Sequence, residues 1–143
     1  MVTTTFRVSE AAALLAVSDD TIRRWAESGR LTLERDGSGP QHIAGTELAR
    51  VAQEIGEAST LGAAFPTAKA STRNRVTGIV TRVVRDTVMA QVELQAGPFR
   101  MVSLISREAA DELELQPGSL AVATVKATNV AIELPDSARR SES

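Results

Sequence analysis

The 143-residue sequence has no cysteine and no tyrosine, and only one tryptophan, three phenylalanines and one histidine. Without cysteine there can be no disulfides, thiolate metal sites or thiol nucleophiles. The single histidine, His42, excludes a histidine-rich metal cluster. It stands beside a Gly-rich turn with no nucleophile or acid in register, so a Ser-His-Asp set is excluded as well. A GxxxxGK[ST] phosphate loop is also absent. No apolar run is long enough to span a bilayer, and no apolar leader opens the chain, so a cytoplasmic protein with no membrane contact is expected. Excess positive charge is missing too. The net charge of -2 counts against strong non-specific nucleic-acid binding, but a local basic face remains open.

What is present is an aliphatic interior. Hydrophobic residues make up 43% of the chain, in the range of folded proteins. With so few aromatics, Ala, Val, Leu and Ile must fill the core, and they bury less area per residue. Two small units built this way are each marginal, so a homo-oligomer is expected.

Residues 6–31 read as two short helices. Ser9 suits an N-cap, and Ala11 to Leu15 favour helix. Ser18 suits a second N-cap, with Asp19 and Asp20 placed to complement the helix dipole. Ile22 and Trp25 share one face, and Gly29 suits a left-handed stop. Residues 31–35 read as a strand, 36–40 as a turn and 41–43 as the return strand. A further helix follows, with Thr46 as N-cap and Leu48, Val51, Ala52 and Ile55 on its apolar side.

This order resembles the MerR/excisionase-type helix-turn-helix family. The resemblance rests on Val8-Ser9-Glu10-Ala11-Ala12, Leu15-Ala16-Val17-Ser18, Thr21-Ile22-Arg23-Arg24-Trp25 and Gly29-Arg30-Leu31. It implies a winged helix-turn-helix domain over residues 1–56 that binds double-stranded DNA, with the second helix in the major groove. Thr21, Arg23, Arg24 and Arg30, with Arg35 and His42 of the wing, are the candidate contacts. On their own, Arg23 and Arg24 could equally be solvated helix residues. The stretch 1–56 carries six arginines against eight carboxylates, so DNA binding would need paired recognition helices in an oligomer.

Small and hydroxyl residues with one proline make 57–70 a candidate linker. From Arg75 onward the pattern turns to β: strands over 76–84, 88–94, 99–105, 120–126 and 130–134, with a short helix after Ser106. The fold class expected is α+β: a small N-terminal winged helix-turn-helix domain, then an OB-like five-stranded β-barrel with one short helix over 71–135, and a polar tail over 136–143.

The second half resembles the molbindin, or TOBE, family of molybdate-binding modules. The resemblance is carried by Ser71-Thr72-Arg73-Asn74, Gly78, Val102-Ser103-Leu104-Ile105-Ser106, Leu113-Glu114-Leu115-Gln116-Pro117-Gly118 and Val125-Lys126-Ala127-Thr128-Asn129-Val130. It implies that molybdate or tungstate binds at interfaces between copies, through Ser71, Arg73, Asn74, Ser106, Lys126 and the backbone of Ala127. Ala109 stands where the family often has a serine donor. A tetrahedral dianion only accepts hydrogen bonds, and this set supplies donors and charge with no general base. Ser71 and Asn74 would also suit caps or turns, and Lys126 would suit an edge strand guarded against aggregation. The expected function is an oxyanion-responsive DNA-binding transcriptional regulator, and no enzyme. The rivals are an oligomeric molybdate store, or a regulator whose barrel senses another anion or a nucleotide.

Overall fold

The computed structural model describes residues 4–66 and 69–136; part of the tail expected over 136–143 and part of the linker expected over 57–70 lie outside them. The chain divides into two units, Met1–Ala64 and Phe65–Ser143.

In the first unit a short strand, β1 (Thr5–Arg7), leads straight into α1 (Val8–Leu15). The helix begins earlier than Ser9 because Glu10 caps it from within, its Oε1 accepting from the Arg7 amide at 2.9 Å. A carboxylate in the first turn thus replaces the expected hydroxyl cap. Ala16, left-handed at φ 57, ends α1. Ser18 then caps α2 (Asp19–Glu27) as expected, its Oγ accepting from the Thr21 amide at 3.1 Å. Gly29 takes φ +83, the conformation a side chain disfavours, and turns the chain out of α2. The hairpin expected as a wing is shorter on its outgoing side: β2 is only Glu34–Arg35, paired with β3 (Gln41–Ala44), which also pairs with β1. The next helix, α3 (Gly45–Glu57), starts ahead of Thr46 because the Gly45 amide is taken by the Thr4 carbonyl at 2.8 Å. A four-residue helix, α4 (Leu61–Ala64), lies in the stretch expected to be linker.

The apolar stripes of these helices meet in one core, where Ile22, Leu31, Ile43 and Val51 are fully buried and Trp25 packs alongside. Each such aliphatic side chain contributes roughly 1.5–3 kcal/mol on burial.

The second unit is a curled antiparallel half-barrel consistent with an OB-like fold. Its strands are β4 (Asn74–Arg85), β5 (Met89–Ala96), β6 (Phe99–Ser106) and β7 (Leu120–Val125), in the order β6-β5-β4-β7. The first half of β4 pairs with β7 and the second half with β5. A register shift between Val80 and Arg82 bends the strand between the two pairings. Gly78 permits the close approach there: a Cβ at that position would lie 2.4 Å from the Gln95 carbonyl oxygen.

Helix α5 (Arg107–Glu112) follows β6, capped by Ser106, whose Oγ accepts from the Ala109 amide at 3.0 Å. It is tied to β4 by Arg85, which donates to Asp111 Oδ1 at 2.9 Å and to the Leu115 carbonyl at 2.8 Å.

Among the described residues the sheet has four strands rather than the expected five. Residues 130–134 form no strand, and Ile132 and Leu134 are 88% and 90% exposed. The interior is correspondingly slight, with Val80, Val92 and Leu94 buried in its central cluster. A concavity of about 580 Å³, lined by Leu94, Met101, Ile105, Leu115 and Ala123, opens between β6 and β7.

Candidate functional site

The two stretches singled out for an anion are joined by the β4–β7 ladder. Asn74 pairs with Val125, and its Nδ2 donates to the Val125 carbonyl at 3.0 Å. Arg73 precedes and Lys126 follows this last pair, just beyond the two strand ends. Lys126 keeps extended backbone (φ -64, ψ 142) and opens a 3-10 turn over Ala127–Asn129, closed by the Asn129 amide on the Lys126 carbonyl at 2.8 Å. The leading amides of such a turn have no partner within it, which leaves the Ala127 backbone suited to an anion. Arg73 and Lys126 are both exposed, as is Ser71 just before them. The structure therefore gathers Arg73, Asn74, Lys126 and Ala127 at one end of the half-barrel. The amide nitrogen of Asn74 is committed to holding the two strands together.

Ser106 lies elsewhere. It pairs with Met89, at the Arg85 end of β4, whereas Arg73 and Lys126 stand at the Asn74 end of that 12-residue strand. Within one chain the expected donors are thus split between two ends of the half-barrel. At the Ser106 end, Asp86 accepts from the amides of Val88 (2.7 Å) and Met89 (2.6 Å). These two bonds, Met89's first, hold its carboxyl below its ordinary pKa, and Arg107 adds to the effect.

In the first unit the expected DNA contacts divide by what already holds them. Thr21 Oγ1 lies 2.9 Å from Ser18 Oγ and accepts from Arg24 Nη2 at 3.1 Å. Arg23 stands 3.8 Å from Asp20 in an exposed pair. Arg30 stacks on Trp25, 4.4 Å from the ring centroid, and lies 3.8 Å from Glu54. His42 is largely buried and stands 3.6 Å from Glu34. Arg35 is exposed on β2, opposite Gln41. Arg23 and Arg35 line a concavity of about 340 Å³ together with Arg7, Ser9 and Asp19. Sequence reasoning passed over Arg7, because nothing in its local pattern marks the last residue of a three-residue strand.

Among the described residues no cluster of His, Asp and Glu could hold a metal ion, and no helix is long and apolar enough to cross a membrane.

Residues 70–132 match the TOBE domain family. Three solved structures are similar to this part of the chain. A molybdate-binding protein from Sporomusa ovata is 31% identical, with 47% of this chain and 100% of that one covered and a TM-score of 0.46. MopII from Clostridium pasteurianum is 33% identical over 46% of this chain and 100% of that one, with a TM-score of 0.44. The cytoplasmic molybdate-binding protein ModG, in a form with molybdate bound, is 36% identical over 48% of this chain and 49% of that one, with a TM-score of 0.46. A search of curated proteins gave no match. Through residues 70–132 the chain belongs to the TOBE domain family.

Proposed function

We propose that this chain is an oxyanion-responsive, DNA-binding transcriptional regulator of the cytoplasm. Residues 71–135 bind molybdate or tungstate without turning it over, residues 1–56 bind double-stranded DNA as a winged helix-turn-helix, and copies assemble through the half-barrel. The observation that carries the oxyanion part is the Asn74–Val125 hydrogen bond, which ties the strand end next to Arg73 to the strand end next to Lys126. Two cations and the Ala127 backbone suit a tetrahedral dianion, which accepts hydrogen bonds at every oxygen. A molybdate-binding protein at 31% identity, and ModG with molybdate bound at 36%, support the choice of ligand.

Assembly is supported by the split of the donors. With Ser106 at the far end of β4, a shell containing both Ser106 and Lys126 is completed by a second copy. The exposed Ile132 and Leu134 and the open apolar concavity supply surface for such contacts. DNA binding is supported by the capped α2 and by the concavity where Arg7, Arg23 and Arg35 converge. Oxyanion held between copies biases the spacing of paired recognition helices, and DNA biases oxyanion affinity by the same coupling energy.

A second reading is an oligomeric oxyanion store whose first unit docks a protein. It draws on the excess of carboxylates over arginines in 1–56 and on the engagement of Arg30 with Trp25 and Glu54.

The two separate in a gel-retardation experiment on the DNA upstream of the protein's own coding sequence, at moderate salt, with molybdate, tungstate, sulfate or phosphate added. A regulator gives a sequence-dependent shift that molybdate or tungstate alters. A store gives no sequence-dependent shift under any of the four ions.

A further inference from the structure

Arg75 follows Asn74 in β4 and stands opposite Thr124 of β7. It is half-buried, and its Nη1 is a buried nitrogen that makes no hydrogen bond among the described residues. A guanidinium has five donors and no acceptor. A buried donor left unmatched is costly, more so when charged, and native structures rarely keep one without a reason.

The surroundings of Arg75 supply the reason. Side chains two residues apart on a strand share a face. Val80, Ala121 and Ala123 face the core, and by alternation Arg75 and Thr124 lie on the other face. Arg73 and Lys126 lie just past the ladder's last pair, Asn74 and Val125, each two residues along the chain from the Arg75–Thr124 pair. Three cations thus stand at this end of the ladder, and none of them is in an ion pair with a carboxylate among the described residues.

We infer that Arg75 is a further ligand of the oxyanion site, donating from Nη1 to a dianion that Arg73 and Lys126 hold. The inference rests on the oxyanion reading above. Arg73 and Lys126 alone balance the charge of a dianion. Arg75 makes the site over-charged, and an over-charged site discriminates by ligand charge, preferring a dianion to a singly charged tetrahedral ion of similar size.

The test is calorimetric titration of the full chain and of Arg75→Met and Arg75→Lys, with molybdate and separately with perrhenate. Melting of the ligand-free proteins and their sedimentation are followed in parallel. Arg75→Met is expected to weaken molybdate binding about ten- to hundredfold, the effect of losing a charged hydrogen bond. A singly charged ion feels half the Coulomb interaction, so perrhenate loses only about threefold where molybdate loses tenfold. Arg75→Lys restores most of the discrimination. The ligand-free Arg75→Met melts no lower than wild type, because a buried charge without a partner has been removed.

Wild-type binding with unchanged affinity in Arg75→Met overturns the Arg75 assignment alone. A lower melting point with equal losses for both ions assigns Arg75 a structural role and overturns it too. A shift to smaller assemblies with molybdate affinity retained pairs the guanidinium with a carboxylate of a second copy, and likewise overturns it. A wild type that binds no molybdate removes the oxyanion reading itself.

Discussion

The carboxamide of Asn74 donates to the backbone carbonyl of Val125 at 3.0 Å, across 51 residues of sequence. It is a part-buried bond at the last pair of the β4–β7 ladder. It ties the residue after Arg73 to the residue before Lys126.

Asn74→Ala is therefore expected to act twice. Loss of a part-buried hydrogen bond costs about 1–2 kcal/mol of stability, read by urea unfolding. Oxyanion affinity falls as well, because the two cations lose their common anchor. A variant that is less stable but binds molybdate as tightly would separate Asn74 from the site.

Lys126→Ala and Arg23→Ala should split the two proposed activities. Lys126→Ala weakens molybdate binding about tenfold or more through loss of a charge-assisted contact, while DNA retardation without ligand stays at the wild-type level. Arg23→Ala weakens retardation and leaves molybdate titrations unchanged. Loss of both activities in either variant would contradict the division of labour between the units.

Gly78→Ala places a methyl group 2.4 Å from the Gln95 carbonyl oxygen, which is backbone and cannot swing aside. The expected cost is roughly 1–3 kcal/mol, as for other overpacked sites, visible as a lower melting temperature. An unchanged melting temperature would mean that the β4–β5 approach relaxes freely.

The Asp86 turn should make part of the stability acid-sensitive. Its carboxyl is held below its ordinary pKa by the amides of Met89 and Val88. A group with a lowered folded pKa stabilises the fold above its unfolded pKa and loses that contribution as the pH falls through the folded value. Wild type should exceed Asp86→Ala in stability at neutral pH, and the gap should close in the acid range. A gap independent of pH would show that the turn is held by its backbone alone.

Much of this was legible in the sequence wherever one residue decides a local structure. Ser18 followed by two aspartates marked the start of α2, and Ser106 the start of α5; both hydroxyls accept the amides expected of them. The starts of α1 and α3 were misplaced because distant or unexpected acceptors set them: Glu10 in one case and the Thr4 carbonyl in the other. Residues 130–134 alternate like a strand, but alternation alone does not form one, and among the described residues they pair with neither open edge of the sheet. The stretches proposed to hold an anion stood out as residue types. Their geometry did not, because register sets Asn74 against Val125 at one end of β4 and Ser106 against Met89 near the other.

Whether the Arg73–Lys126 end of the half-barrel binds a tetrahedral dianion is decided by calorimetric titration of the full chain with molybdate, repeated against sulfate. The prediction is saturable molybdate binding, clearly tighter than sulfate. No binding of molybdate at millimolar concentration would contradict it.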